Sequence, residues 1–155
     1  VALRTTMIVG HPGEGKKDFE ELLDFVQEAR FERLGAFRYS EEEGTYGAEN
    51  FKDSVSGKVK QERLDALMTL QSGISLAYNQ SRVGSELKVI VDDFNDGVFV
   101  CRSEFESPEV DGEILVKYDS SAVADVDPYS LIGEFITVKV IGADEYDLIA
   151  EILEI

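Results

Sequence analysis

At Val83-Gly84 the chain changes its hydrophobic period, and that change limits the folds open to it. Upstream, apolar residues recur at helical spacing; downstream they alternate. Phe19, Leu22, Leu23, Val26 and Ala29 share one face of an amphipathic helix, which Gly35 is predicted to stop. A longer helix is predicted from about Lys58 to Gln80, with Val59, Leu64, Leu67, Met68, Gln71, Ile74 and Tyr78 along its buried side. A short β-branched run, Leu3 to Val9, precedes the first helix, and Ala36 to Tyr39 is a second strand candidate. Strand, helix, strand, helix with turns of this length reads as βα units of a parallel sheet or barrel. Beyond Gly84, Leu87, Val89 and Val91 alternate with Lys88 and Ile90, and Phe99 and Cys101 alternate with Val98, Val100 and Arg102. Ile114 to Val116, Ile136 to Val140 and Leu148 to Ile155 complete five strand candidates, and Asn95-Asp96-Gly97 is a hairpin turn. Five short strands without helical pattern suggest a small OB-like barrel. The expected division is an α/β part, residues 1–82, followed by an all-β part, residues 83–155.

Charge divides at the same place. Residues 1–82 carry 11 Lys and Arg against 14 Asp and Glu, a net of −3; residues 83–155 carry 4 against 18, a net of −14. Such a field repels phosphate backbones and attracts cationic partners. No run of 18 apolar residues exists to span a bilayer. One cysteine excludes a disulfide framework and suits a reducing, cytoplasmic setting. The opening Val1-Ala2-Leu3 has neither an initiator methionine nor a basic leader, as expected of an excised piece.

The turn Gly10-His11-Pro12-Gly13-Glu14 stands at the carboxyl end of a predicted strand, the rim where α/β barrels build their sites. His11 is the lone histidine and has no nucleophile motif beside it, so no catalytic residue is assigned. Asp18, Glu20, Glu21 and Asp24 lie on the solvent side of their helix, and the consecutive Glu41, Glu42 and Glu43 cannot all point one way. Asp92, Asp93 and Asp96 lack the longer pattern of a calcium loop, so no metal site is assigned either. Cys101 reads as a small buried hydrophobe.

The residues themselves carry a resemblance. Thr5-Thr6-Met7-Ile8-Val9-Gly10-His11-Pro12-Gly13-Glu14, Asp18-Phe19-Glu20-Glu21-Leu22, Leu34-Gly35-Ala36-Phe37-Arg38-Tyr39-Ser40 with Glu43-Gly44-Thr45, and Lys60-Gln61-Glu62-Arg63-Leu64 resemble the radical SAM methylthiotransferases. The tail is similar to the TRAM domain of these enzymes, and Glu106-Ser107-Pro108-Glu109-Val110-Asp111-Gly112 to the branch that modifies a ribosomal protein. The resemblance implies a carboxy-terminal fragment: part of the radical SAM α/β barrel, then a five-stranded TRAM barrel. It implies an intact enzyme with S-adenosylmethionine and two iron–sulfur clusters, which installs a methylthio group on an aspartate. None of these cofactors is expected on the fragment, since cluster ligation needs several thiolates. By the same resemblance Gly10, Pro12, Gly13, Glu14, Arg38, Tyr39 and Ser40 stand near the cofactor. Gly15 and Ser56-Gly57-Lys58 depart from the family pattern at two helix starts, the second of which is expected to fray.

A basic ribosomal protein is the partner that the acidic tail favours, with Glu104, Glu106, Glu109, Asp111 and Glu113 as the expected contact patch. The same charge argues against nucleic acid at that module. The alternatives are a tRNA methylthiotransferase and a stand-alone acidic binding module. Exposed barrel edges are expected to let the fragment self-associate.

Overall fold

The computed structural model describes residues 1–121, 123 and 126–155, which form two compact units, Val1–Ser75 and Leu76–Ile155. In the first, β1 (Arg4–Val9) and β2 (Arg33–Arg38) pair in parallel, Arg4 opposite Arg33 and Val9 opposite Arg38, with α1 (Lys16–Ala29) between them in sequence. A parallel pair needs such a crossover, because no tight turn can bring the chain back in the same direction. Phe19 and Val26 of α1 are buried with Val9, Leu34, Leu67 and Ile74. Leu67 and Ile74 belong to α3 (Gly57–Ser81), which follows a short α2 (Tyr46–Asn50).

Gly35 does not stop α1. The helix ends at Ala29, with Arg30 left-handed at φ 48° and its N–H bonded to the Val26 carbonyl at 3.0 Å. Gly35 lies inside β2, which starts at Arg33 rather than Ala36 because Arg33 and Leu34 already pair with Arg4 and Thr5. Gln71, buried on α3, explains the intervening loop: its Nε2 donates to the Phe31 carbonyl at 2.9 Å and to Ser75 Oγ at 3.1 Å. At the other end of α3, Ser56 Oγ accepts the Val59 N–H at 3.3 Å, a side-chain cap for the start that was expected to fray. On the sheet face away from the core, the paired residues Ile8 and Phe37 are both exposed.

The second unit is a closed five-stranded barrel. Its strands are β3 (Glu86–Asn95), β4 (Val98–Arg102), β5 (Ile114–Lys117), β6 (Phe135–Ala143) and β7 (Leu148–Glu154), and a 3-10 turn (Pro128–Leu131) precedes β6. The order around the barrel is β3-β4-β5-β7-β6, with β5 and β7 parallel and every other pair antiparallel. Alternation does the sorting: Val89, Val91, Phe99, Cys101, Ile114, Val116, Ile136, Val138, Val140, Leu148 and Ala150 fill the interior. Asp96 and Gly97 both take positive φ in the β3–β4 turn, as a two-residue hairpin requires.

One polar cluster is buried against this barrel. The Arg82 guanidinium lies 5.6 Å from the Tyr78 ring and 5.3 Å from the Phe105 ring. It donates to Glu106 Oε1 and, at 3.1 Å, to Ser103 Oγ. Glu106 Oε2 in turn accepts from the Ser103 hydroxyl and from the Ser103 N–H at 2.9 Å. This corrects the expectation for Glu106. Its side chain is 2% exposed, with its charge committed to Arg82, so it cannot belong to a surface patch.

Burial alone would raise the Glu106 pKa. The hydrogen bonds from Arg82 and Ser103, with the Arg82 charge, overcome that and hold it below the ordinary glutamate value. A depressed carboxylate contributes stability above its unfolded pKa and loses it as pH falls through the folded value. Glu106→Gln, which strands a buried guanidinium, is expected to cost about 3 kcal/mol in urea unfolding at pH 7. Repeating the titration down to pH 3 should show a flatter acid limb in the variant than in the parent chain.

Candidate functional site

The carboxyl ends of β1 and β2 lie side by side, joined where the Tyr39 N–H donates to the Val9 carbonyl at 2.8 Å. After β1 the chain turns through Gly10 at φ 77° and Gly13 at φ 85°, a conformation that L side chains resist. Glu14 closes this turn on itself. Its Oε1 accepts from the Gly10 N–H at 3.0 Å and from Arg63 Nη1 at 2.7 Å, and Arg63 also holds the Glu14 carbonyl at 3.0 Å. The Gly13 N–H donates to Ser54 Oγ at 3.2 Å. The His11 ring stacks edge-on with Tyr39 at 5.3 Å and Phe51 at 6.0 Å, a packing role.

A concavity of about 500 Å³ opens beside the β2 end, lined by Ala36, Phe37, Arg38, Tyr39, Ser40, Gly57, Lys60 and Leu64. That volume lies within the range of small-molecule sites, about 300–1,000 Å³. Arg38, Tyr39 and Ser40 line it. Gly10, Pro12, Gly13 and Glu14 do not, and Glu14 in particular is held by Arg63.

Lys60 was missed in the sequence. It is buried, with Nζ donating to Asp53 Oδ2 at 2.7 Å and to the Tyr39 carbonyl at 3.1 Å. One clue was available, for Lys60, Leu64, Leu67, Gln71 and Ile74 share one helical stripe, so a charged residue heads an apolar row. Lysine is rarely buried unless paired.

On the barrel, Glu104, Glu109 and Glu113 are exposed, whereas Asp111 is half-buried and accepts the Ser107 N–H at 2.7 Å. Among the cations of this unit, Arg102 is neutralised by both oxygens of Asp92, a pairing that raises its pKa. Lys88 sits 4.8 Å above the Phe135 ring. Cys101 is fully buried; burial first, and the Asp92 charge second, push its thiol up to about 12, so it stays protonated and inert. Among the described residues no three His, Cys, Asp or Glu side chains gather as metal ligands, and no helix is long and apolar enough to cross a membrane.

Residues 83–153 match the family described as the TRAM domain. Over 153 residues the chain is 50% identical to the ribosomal protein uS12 methylthiotransferase RimO of Phocaeicola vulgatus and 49% identical to that of Bacteroides fragilis. The protein of the same description in Porphyromonas gingivalis is 48% identical over 154 residues. Each alignment covers 99% of this chain and 34% of the relative, so the chain spans about a third of the length of the curated proteins it matches. Among solved structures, the apo form of Mycoplasma genitalium RNase R aligns at 12% identity with a TM-score of 0.34, over 68% of this chain and 20% of its own, too distant to bear on fold or function. The barrel thus falls in the stretch that matches the TRAM domain, and the likeness to proteins described as ribosomal protein uS12 methylthiotransferases holds along the whole chain.

The two glycines of the β1 turn separate backbone strain from crowding. A Cβ on Gly13 would meet nothing within 4 Å, whereas one on Gly10 would fall 2.3 Å from Lys60 Cγ. Gly13→Ala should therefore cost only the left-handed penalty, about 1 kcal/mol. Gly10→Ala adds overpacking and should cost about 3 kcal/mol. Urea unfolding of the two variants against the parent chain measures the difference.

Proposed function

We propose that this chain is part of a radical SAM methylthiotransferase that modifies an aspartate of the ribosomal protein uS12 in the cytoplasm. In this reading the first unit is a segment of the radical SAM barrel, and the TRAM domain recognises the protein substrate. The observation that carries it is the 50% identity, over 153 residues, to a protein of that description. The charge of the barrel supports the choice of substrate, because a net of −14 over residues 83–155 suits a cationic polypeptide and opposes a polyanion.

The concavity at the end of β2 suits S-adenosylmethionine in size, and Arg38, Tyr39 and Ser40 would hold it. Bound there and reduced by one electron from a donor outside this chain, that cofactor would supply the radical that takes hydrogen from the unactivated carbon. The chain's part is to position the cofactor and exclude water around it. Iron–sulfur clusters do not fit this chain. It has a single cysteine, buried and protonated, where a cluster needs three or four thiolates.

Glu104, Glu109 and Glu113 are the patch we assign to the ribosomal protein, now without Glu106, and with Asp111 as an internal brace. Reversing all three to Lys in the full chain should weaken uS12 binding at least about tenfold at low salt and flatten its salt dependence. Calorimetry across a salt series reads both. Unchanged binding would remove the patch, and tight, salt-sensitive capture of transfer RNA by the parent chain would favour the tRNA-modifying enzymes instead.

A further inference from the structure

Lys60 does more than line the concavity. Its aliphatic stem occupies the space that a Cβ on Gly10 would need, with Cγ 2.3 Å and Cδ 3.0 Å from that position. Its ammonium reaches past the end of β1 to the end of β2, where it holds the Tyr39 carbonyl at 3.1 Å and lies 5.2 Å from the Tyr39 ring. A second proton is taken by Asp53, in the segment between α2 and α3, at 2.7 Å. The side chain is 9% exposed, so this charge is almost wholly withdrawn from water and depends on those partners. Arg63, one helical turn further along α3, grips the β1 turn through Glu14 and lies 5.7 Å from the Phe19 ring of α1.

We propose that Lys60 is the positioning residue that sets the two strand ends against each other, the stem seating Gly10 and the ammonium fixing the Tyr39 carbonyl between Arg38 and Ser40. The inference rests on reading this concavity as the cofactor site. It gives Lys60 a role in shaping the site wall, and it makes the glycine at position 10 a requirement of the lysine at 60.

Hydrogen exchange on the full chain separates the two halves of the side chain. In Lys60→Met the stem remains and the charge is lost. The Tyr39 amide, bonded to Val9, and the amides around Asp53 should then exchange about tenfold faster, while those of Gly10 and Glu14 stay as in the parent. In Lys60→Ala both groups of amides should loosen. Lys60→Arg, which restores a positive donor, should return Tyr39 to near-parent protection. An unchanged Tyr39 in Lys60→Met, a uniform rise across residues 1–75, or no rescue by arginine would each overturn the proposal. No ligand enters this experiment, so a wrong assignment of the cofactor leaves its outcome intact, and the reverse also holds.

Discussion

Positive charge taken out of water must be met by carboxylates and carbonyls, and in this chain that demand decides where the irregular segments go. Lys60, Arg63 and Arg82 are buried or nearly so in a protein whose formal charge is −17. Lys60 draws in Asp53 and Tyr39, Arg63 fixes Glu14, and Arg82 fixes Glu106 with Ser103. The apolar cores would tolerate several paths for these loops; a desolvated cation tolerates few, because an unmet partner is far more costly than a missing methylene.

The two units use this device differently. In the first, two cations on one helix hold the strand ends beside a concavity, so the charge shapes its surroundings. In the barrel, Arg82 lies between Tyr78 and Phe105 and meets a carboxylate that the neighbouring acidic surface then lacks. Glu104, Glu109 and Glu113 stay in solvent. Arg82 with Glu106 and, nearer the surface, Arg102 with Asp92 commit two of this unit's few cations to particular carboxylates.

The regular parts were legible because they rest on local periodicity. Period two gave the barrel interior from Val89 to Ala150, and Asp96-Gly97 gave the hairpin turn, since each is decided by alternation or by φ. Long-range pairing was not legible. Glu106 looked like any acidic loop residue until Arg82, 24 positions away, took its charge. Lys60 stood out only as part of a matching motif, although its own stripe of Leu64, Leu67 and Ile74 placed it inside. The end of α1 failed for a related reason: Gly35 is the usual stop, but Arg33 and Leu34 were already claimed by β1. The short α2 escaped notice because its capping threonine, Thr45, precedes only one turn of helix.

The strand order has a kinetic side. β7 is the last strand in sequence, yet it lies between β5 and β6 and gives the barrel its parallel pair. During vectorial synthesis the edges of β5 and β6 stay open until Leu148–Glu154 has emerged, so closure is a late, long-range step. Until that strand inserts, the nascent sheet carries two unsatisfied ladders whose main protection against its neighbours on a polysome is the mutual repulsion of its carboxylates.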